Sequence, residues 1–197
     1  MNSSNTDNKG SLARLTPDEQ RTLLQVARAT IEDAVERGHK EPTVELSSLS
    51  PNLREPGAAF VTLTERGELR GCIGCIEPQE PLALCVARHA VYAATGDLRF
   101  PSVTVSELPR LHIEVNVLRP PRKVRGIEDF VLGKHGLILE KEGCRGLFLP
   151  EVMTEEHWTS EDTLAHLCLK AGLPRDAWKT GYTLYCFETQ AFGERET

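Results

Sequence analysis

The stretch from Leu82 to about Thr95 reads as a helix with apolar side chains on nearly every side, broken only by Arg88 and His89. A helix of that kind is stable only when buried. Its many alanines let neighbouring strands come close, and Pro81 is suited to open it. The sequence just before it supplies something to bury it against. Ala59 to Thr64 reads as a strand, Glu65-Arg66-Gly67-Glu68 as a turn, and Leu69 to Ile76 as the returning strand of a hairpin. Hairpin followed by buried helix implies a sheet with helices packed on it.

The remaining chain extends that pattern. Thr16, Pro17 and Glu19 form an N-cap, a first-turn proline and a capping-box acid, and the amphipathic helix they open ends near Gly38. Pro42, Pro51 and Pro56 interrupt the connection that follows. Leu111 to Arg119 alternates cleanly, with Leu111, Ile113, Val115 and Val117 on one face and His112, Glu114 and Asn116 on the other. Ile127 to Leu132 suggests a short helix. Leu137 to Glu140 and Arg145 to Leu149 suggest a second hairpin, ended by Pro150. A helix capped by Ser160 reaches Lys170, and Tyr182 to Phe192 forms a last strand. This order predicts an α+β fold with a mainly antiparallel sheet flanked by helices. Residues 1–14 are polar and aperiodic and are expected to be a disordered segment, 15–192 the folded domain, and 193–197 a tail.

Leu69-Arg70-Gly71-Cys72-Ile73-Gly74 is the chemically loaded part of the hairpin. Glycines in a strand mark a bulge or a close approach, so Gly71 and Gly74 suggest that the Cys72 thiol is meant to be reached. In an unbroken strand Arg70, Cys72 and Gly74 share one face, with Leu69, Gly71, Ile73 and Cys75 on the core face. A guanidinium beside Cys72 would favour the thiolate, the nucleophilic form. The alternative is that the glycines serve tight packing and Cys72 is a small buried hydrophobe.

Further polar groups are candidates for the same chemistry. Asp97 and Arg99, in Asp97-Leu98-Arg99-Phe100-Pro101, either form a salt-bridged corner or present Arg99 to an anion. Lys134 and His135 stand between Gly133 and Gly136, where the histidine could be a proton acceptor or simply an exposed loop residue. His89 is expected to be a hydrogen-bonded core histidine.

Composition excludes several functions. The net charge of −6 disfavours nucleic-acid binding, despite a local basic run at Arg122, Lys123 and Arg125. No apolar run approaches the roughly 20 residues that span a bilayer, and no signal-peptide core is visible, so a cytoplasmic protein is expected. Its six cysteines would then be mostly reduced. Cys72 and Cys75 have C-x-x-C spacing, but alternation sends them to opposite faces and no second pair completes a zinc site. Neither a metal nor a cofactor is expected.

Five motifs together resemble a known family. They are Leu69 to Gly74, Asp97-x-Arg99-Phe100-Pro101, Gly133-Lys134-His135-Gly136-Leu137, Gly146-Leu147-Phe148-Leu149-Pro150 and Lys170-Ala171-Gly172-Leu173. The chain resembles the AMME chromosomal-region domain, called AmmeMemoRadiSam system protein A in prokaryotes, from about Leu15 to Phe192. Leu98 and Ser102 depart from prolines frequent in the family, and Cys75 is not a hallmark. The resemblance implies a larger lobe on an antiparallel sheet with a smaller associated lobe. It also implies a functional link with a Memo-like protein and a radical S-adenosylmethionine protein. Two expectations follow. One is a cysteine-dependent enzyme or enzyme component, with Cys72 as nucleophile or covalent carrier, Arg70 activating it and His135 accepting its proton. There Gly71, Gly74, Asp97, Arg99 and Lys134 would hold a small anionic substrate. The other is a non-catalytic adaptor that docks onto those partners or a peptide.

Overall fold

The computed structural model describes residues 12–194. The chain divides into two compact units, the first running to Leu118 and resuming at Gln190, the second spanning Arg119–Thr189.

In the first unit, helix α1 (Pro17–Arg37) begins with the expected capping box between Thr16 and Glu19 and ends at Gly38 in the left-handed conformation. After a one-turn helix α2 (Pro51–Arg54), strand β1 (Pro56–Glu65) turns through Arg66 and Gly67, both at positive φ, into β2 (Glu68–Gly74). A two-residue strand β3 (Glu80–Pro81) pairs with the start of β1, and helix α3 (Leu82–Thr95) follows. Strand β4 (Leu111–Leu118) pairs antiparallel with β1 on the side away from β2. Among the described residues β2 therefore has one strand neighbour.

Alternation separates the two faces of this sheet. Ala59, Val61 and Leu63 of β1 and Ile113, Val115 and Val117 of β4 are fully or almost fully buried with Leu23, Ile31, Leu82 and Val86 of the helices. Phe60, Thr62 and Thr64 point the other way. The expected buried character of α3 holds along its length, with ten of its residues in the interior.

The second unit contains β5 (Arg122–Val124), β6 (His135–Lys141) and β7 (Cys144–Phe148), then α4 (Pro150–Glu155), α5 (Ser160–Lys170) and the part of the last strand, β8 (Thr183–Gly193), that runs to Thr189. β6 pairs antiparallel with both β7 and β8, and β5 pairs with β8. Leu137 and Leu139 of β6, Leu164, Leu167 and Cys168 of α5, and Leu184 and Cys186 of β8 share one core with Met153. The whole is an α+β protein built on antiparallel strands.

Several local readings change for identifiable reasons. Pro150 does not merely end the hairpin but stands at the first position of α4, where its missing N–H costs nothing. The basic run begins a strand, β5. Only Ile127–Asp129 is helical in the segment expected to run to Leu132. Thr159, not Ser160, caps α5, through a capping box with Asp162. Of the segment expected to be disordered, the part up to Ser11 lies outside the described residues. From Leu12 the chain is held, because Leu12 and Leu15 are buried and Asn52 Oδ1 accepts from the Ala13 amide. Of the expected tail, residues 195–197 lie outside the described residues, whereas Gly193 ends β8 and Glu194 pairs with Arg28 while its amide donates to Ile113 O.

The two glycines of the opening motif are explained by packing. A Cβ at Gly71 would stand 2.2 Å from the carbonyl oxygen of Ala93, so the backbone of α3 is seated against β2 there. A Cβ at Gly74 would meet the Phe60 ring at 2.4 Å and the Ala59 oxygen at 2.5 Å. Because a main-chain carbonyl in a helix has little room to retreat, Gly71→Ala is expected to cost about 3 kcal/mol. Glu114→Ala, at an exposed position of β4, should stay within about 0.5 kcal/mol. Urea unfolding of the two variants checks this, and a Gly71→Ala protein as stable as the parent would rule out the close approach.

Candidate functional site around Cys72

The register of β2 decides what surrounds the thiol. Gly74, Ile73, Cys72 and Gly71 pair with Phe60, Val61, Thr62 and Leu63, but the next pair is Leu69 with Thr64, leaving Arg70 as an extra residue at a β-bulge. The bulge resets the alternation, which corrects the expectation that Arg70 shares a face with Cys72. Leu69 instead stands on the outer face with Cys72, and at 44% exposure it is not a core residue. Arg70 is turned to the loop before β4, where its Nε donates to Glu107 Oε1 at 2.7 Å. Its Nη1 is buried with no hydrogen-bond partner among the described residues. Arg70 is thus tied to a carboxylate, and that pairing accounts for its place in the motif.

The cation that does reach Cys72 is Arg99. Asp97, buried just past the end of α3, accepts the Cys72 amide at 2.9 Å through Oδ2. Arg99 donates to both Asp97 oxygens, from Nε at 3.0 Å and Nη2 at 2.7 Å, and Nη2 also donates to the Cys72 carbonyl at 3.2 Å. In an antiparallel ladder a residue outside the narrow hydrogen-bonded pairs turns its N–H and C=O away from its partner strand. At Cys72 those two groups face the open edge of β2, and the Asp97–Arg99 pair satisfies both. The salt-bridged corner is therefore the arrangement present, and it bonds to the Cys72 backbone.

The side chain so fixed is half-buried. Its Sγ accepts a hydrogen bond from Thr62 Oγ1, the cross-strand neighbour, at 3.3 Å. Glu114 continues the same row on β4, opposite Thr62 and exposed. Two strand spacings separate its backbone from that of Cys72, roughly 10 Å. The row Cys72, Thr62, Glu114 is a product of register and could not be read from spacing in the chain.

Lys134 and His135 belong to the second unit. His135 is the first residue of β6 and is buried, not an exposed loop residue. Its Nδ1 accepts the Val131 amide at 2.9 Å, and its Nε2 lies 3.7 Å from Glu188 Oε1. Burial, and then the neighbouring Lys134 and Arg122, push its pKa down. The ring is accordingly neutral with its proton on Nε2, and its one lone pair is committed to the backbone. A general base needs a free lone pair, so proton acceptance by His135 requires it first to give up the Val131 bond. Lys134 pairs with Glu188 at 3.3 Å.

A second cluster was not visible in the sequence. Cys75 Sγ lies 3.4 Å from Cys85 Sγ, and Cys85 Sγ lies 3.5 Å from His89 Nδ1. Cys85 and His89 are four residues apart on one side of α3, a spacing that offered a signal, but nothing in the sequence connects them to Cys75, just past the end of β2. His89 is also the expected hydrogen-bonded core histidine, its Nδ1 bonded to the Cys85 carbonyl at 2.8 Å.

The clamp predicts an acid-sensitive structure. The Arg70 guanidinium holds Glu107 down to about 2, and Arg99 holds the Asp97 carboxyl below the usual carboxylate range. A carboxyl whose pKa is lower folded than unfolded stabilises the fold above its unfolded value and loses that contribution as pH falls toward its folded one. Stability should therefore decline from roughly pH 4.5 to about pH 2. Glu107→Gln, less stable at neutral pH, should show a shallower decline across that window. Urea midpoints measured against pH test this, and parallel curves for the two proteins would contradict it.

Comparison with known proteins places these features in a family. The sequence model of the AMMECR1 family matches residues 24–192. A protein of Methanosarcina mazei is 44% identical over 92% of this chain and 94% of its own. One of Methanocaldococcus jannaschii is 41% identical over 92% and 93%. The crystal structure of an uncharacterised protein of Pyrococcus horikoshii, PH0010, is similar with a TM-score of 0.82 at 35% identity, over 92% of this chain and 94% of that one. Among the described residues no helix is long and apolar enough to cross a membrane. With a family match across most of its length, this chain belongs to the AMMECR1 family.

Proposed function

We propose that this protein is a component of a modification pathway shared with a Memo-like protein and a radical S-adenosylmethionine protein, and that Cys72 is its nucleophile or covalent carrier. The pathway follows from the family resemblance. One observation carries the role of Cys72: both its backbone polar groups are held by a buried carboxylate and the arginine paired to it, while its sulfur stays half-buried with a single donor on it. Fixing a reactive group by bonds to its own backbone is a way of pre-paying the ordering that reaction requires. The Thr62 hydroxyl stabilises negative charge on the sulfur as a bond to it forms or breaks. Asp97 and Arg99 are positioning residues in this reading. Arg99, more than half exposed, can add its remaining donors to an anionic substrate. Gly71 and Gly74 act through packing, by letting α3 and Phe60 define the strand.

The adaptor reading has one observation in its favour, that both glycines are explained by packing without any ligand. The edge of β2 argues against strand addition there, since Asp97 and Arg99 already occupy the Cys72 backbone groups a docking peptide would need.

Alkylation resolved by peptide mapping separates the two. If Cys72 is the reacting thiol, at pH 7 it should be modified at least about tenfold faster than Cys144, which is also half-buried. Thr62→Val should slow that rate about threefold to tenfold by removing one hydrogen bond to the sulfur. A Cys72 that is inert near neutral pH, together with capture of the Memo-like partner by Cys72→Ala, would overturn the nucleophile and favour the adaptor.

A further inference from the structure

The second thiol cluster lies on the core side of the same hairpin arm and has no part in the Cys72 arrangement. Cys75 follows the end of β2, its amide bonded to Ala59 O, and its half-buried side chain packs against the first unit's core. Cys85 and His89 sit one turn apart on α3, both buried. One ligand atom from each of the three lies within 4.8 Å of the others. We propose that Cys75, Cys85 and His89 form a binding site for a zinc-class metal ion.

The distances match the chemistry of such a site and not that of a disulfide. A disulfide holds its sulfurs about 2.05 Å apart. Two thiolates on one tetrahedral zinc, each about 2.3 Å from it, stand about 3.8 Å apart, and a thiolate and an imidazole nitrogen about 3.6 Å apart. The protein holds Cys75 and Cys85 at 3.4 Å and Cys85 and His89 at 3.5 Å. Those separations need only a few tenths of an ångström of adjustment. The ligand set is Cys₂His, with thiolate softness that selects zinc over magnesium or calcium. Three protein ligands leave a fourth position for water or a bound molecule, and half-buried Cys75 puts that position within reach of the surface.

Protonation is consistent with this. The contact between the two sulfurs lowers the Cys75 thiol below the ordinary range, while that contact and burial push Cys85 up. Binding converts both thiols to thiolates and releases to solvent every proton they still hold. His89 exchanges its Nδ1–H bond to the Cys85 carbonyl for a bond to the metal, and its proton moves to Nε2 with no net release. The pairing of Glu80 with Arg88, at 3.1 Å, places an acid of the preceding strand and a base of α3 in a mutual bond. Neither is needed as a ligand.

Cobalt(II) is the probe, because it takes zinc's place and reports thiolate ligation by a charge-transfer band in the near ultraviolet. The full chain, reduced with a phosphine and freed of metal, is titrated with cobalt(II) and then with zinc(II). One cobalt per chain, a thiolate band, and its displacement by zinc are expected. Cys75→Ser should lower affinity at least about tenfold and weaken the band, as loss of even an outer partner of a metal ligand commonly does. His89→Gln should lower affinity while leaving the thiolate band, and Cys144→Ser should change nothing. Circular dichroism confirms that each variant is folded. No band in the reduced parent protein, or a band that persists unweakened in folded Cys75→Ser, would overturn the site.

Discussion

The main-chain contact between α3 and β2 governs everything around the hairpin arm. With a glycine at position 71, the carbonyl of Ala93 comes to within 2.2 Å of where a side chain would begin. A helix seated that close delivers its C-terminal end, and with it Asp97, to the open edge of the strand. The same seating brings Cys85 and His89, lower on the helix, against Cys75. A larger residue at position 71 would push α3 outward, and both arrangements would open together. The glycines of the motif are thus part of the apparatus that holds the cysteines, not the space through which a ligand approaches them.

Around Cys72 the result is a thiol whose backbone has no freedom left. The strand partner β1 fixes one side, and the Asp97–Arg99 pair fixes the other. Arg70, which unbroken alternation would place beside the thiol, pairs with Glu107 instead, because a bulge takes it out of the alternation. The capped edge is also a form of protection, since an open strand edge invites pairing with other chains. One pair of side chains accomplishes both.

Much of this fold was legible from the residues. The capping box at Thr16, the turn at Arg66-Gly67 and the alternation of Leu111 to Val117 each have a local cause, and each formed as expected. Buried α3 was legible from its lack of a polar face. The site was only partly so. Their spacing makes a corner of Asp97 and Arg99 one of two readings, but that the corner closes on Cys72 depends on a contact between residues 25 positions apart. Gly71 beside Arg70 marks either a bulge or a close approach without deciding between them, and a one-residue bulge exchanges the faces of everything before it. The glycines that flank His135 leave a proton acceptor and an exposed loop residue equally open, whereas its ring nitrogen and the Val131 amide together close the turn that starts β6. The cluster of Cys75, Cys85 and His89 joins the end of the hairpin arm to a helix, and only the step of four residues from Cys85 to His89 shows in the spacing.

The central claim is that Asp97 holds the Cys72 backbone from the open side of β2. Hydrogen exchange at the Cys72 amide tests it directly, by comparing the parent protein with Asp97→Ala and using the Ile73 and Val61 amides as internal references. The claim predicts that exchange at Cys72 accelerates by at least about tenfold in the variant, the loss expected for a charge-assisted bond of roughly 1.5–3 kcal/mol, while Ile73 and Val61 stay protected. Unchanged protection at Cys72, or equal loss at all three positions, would contradict it.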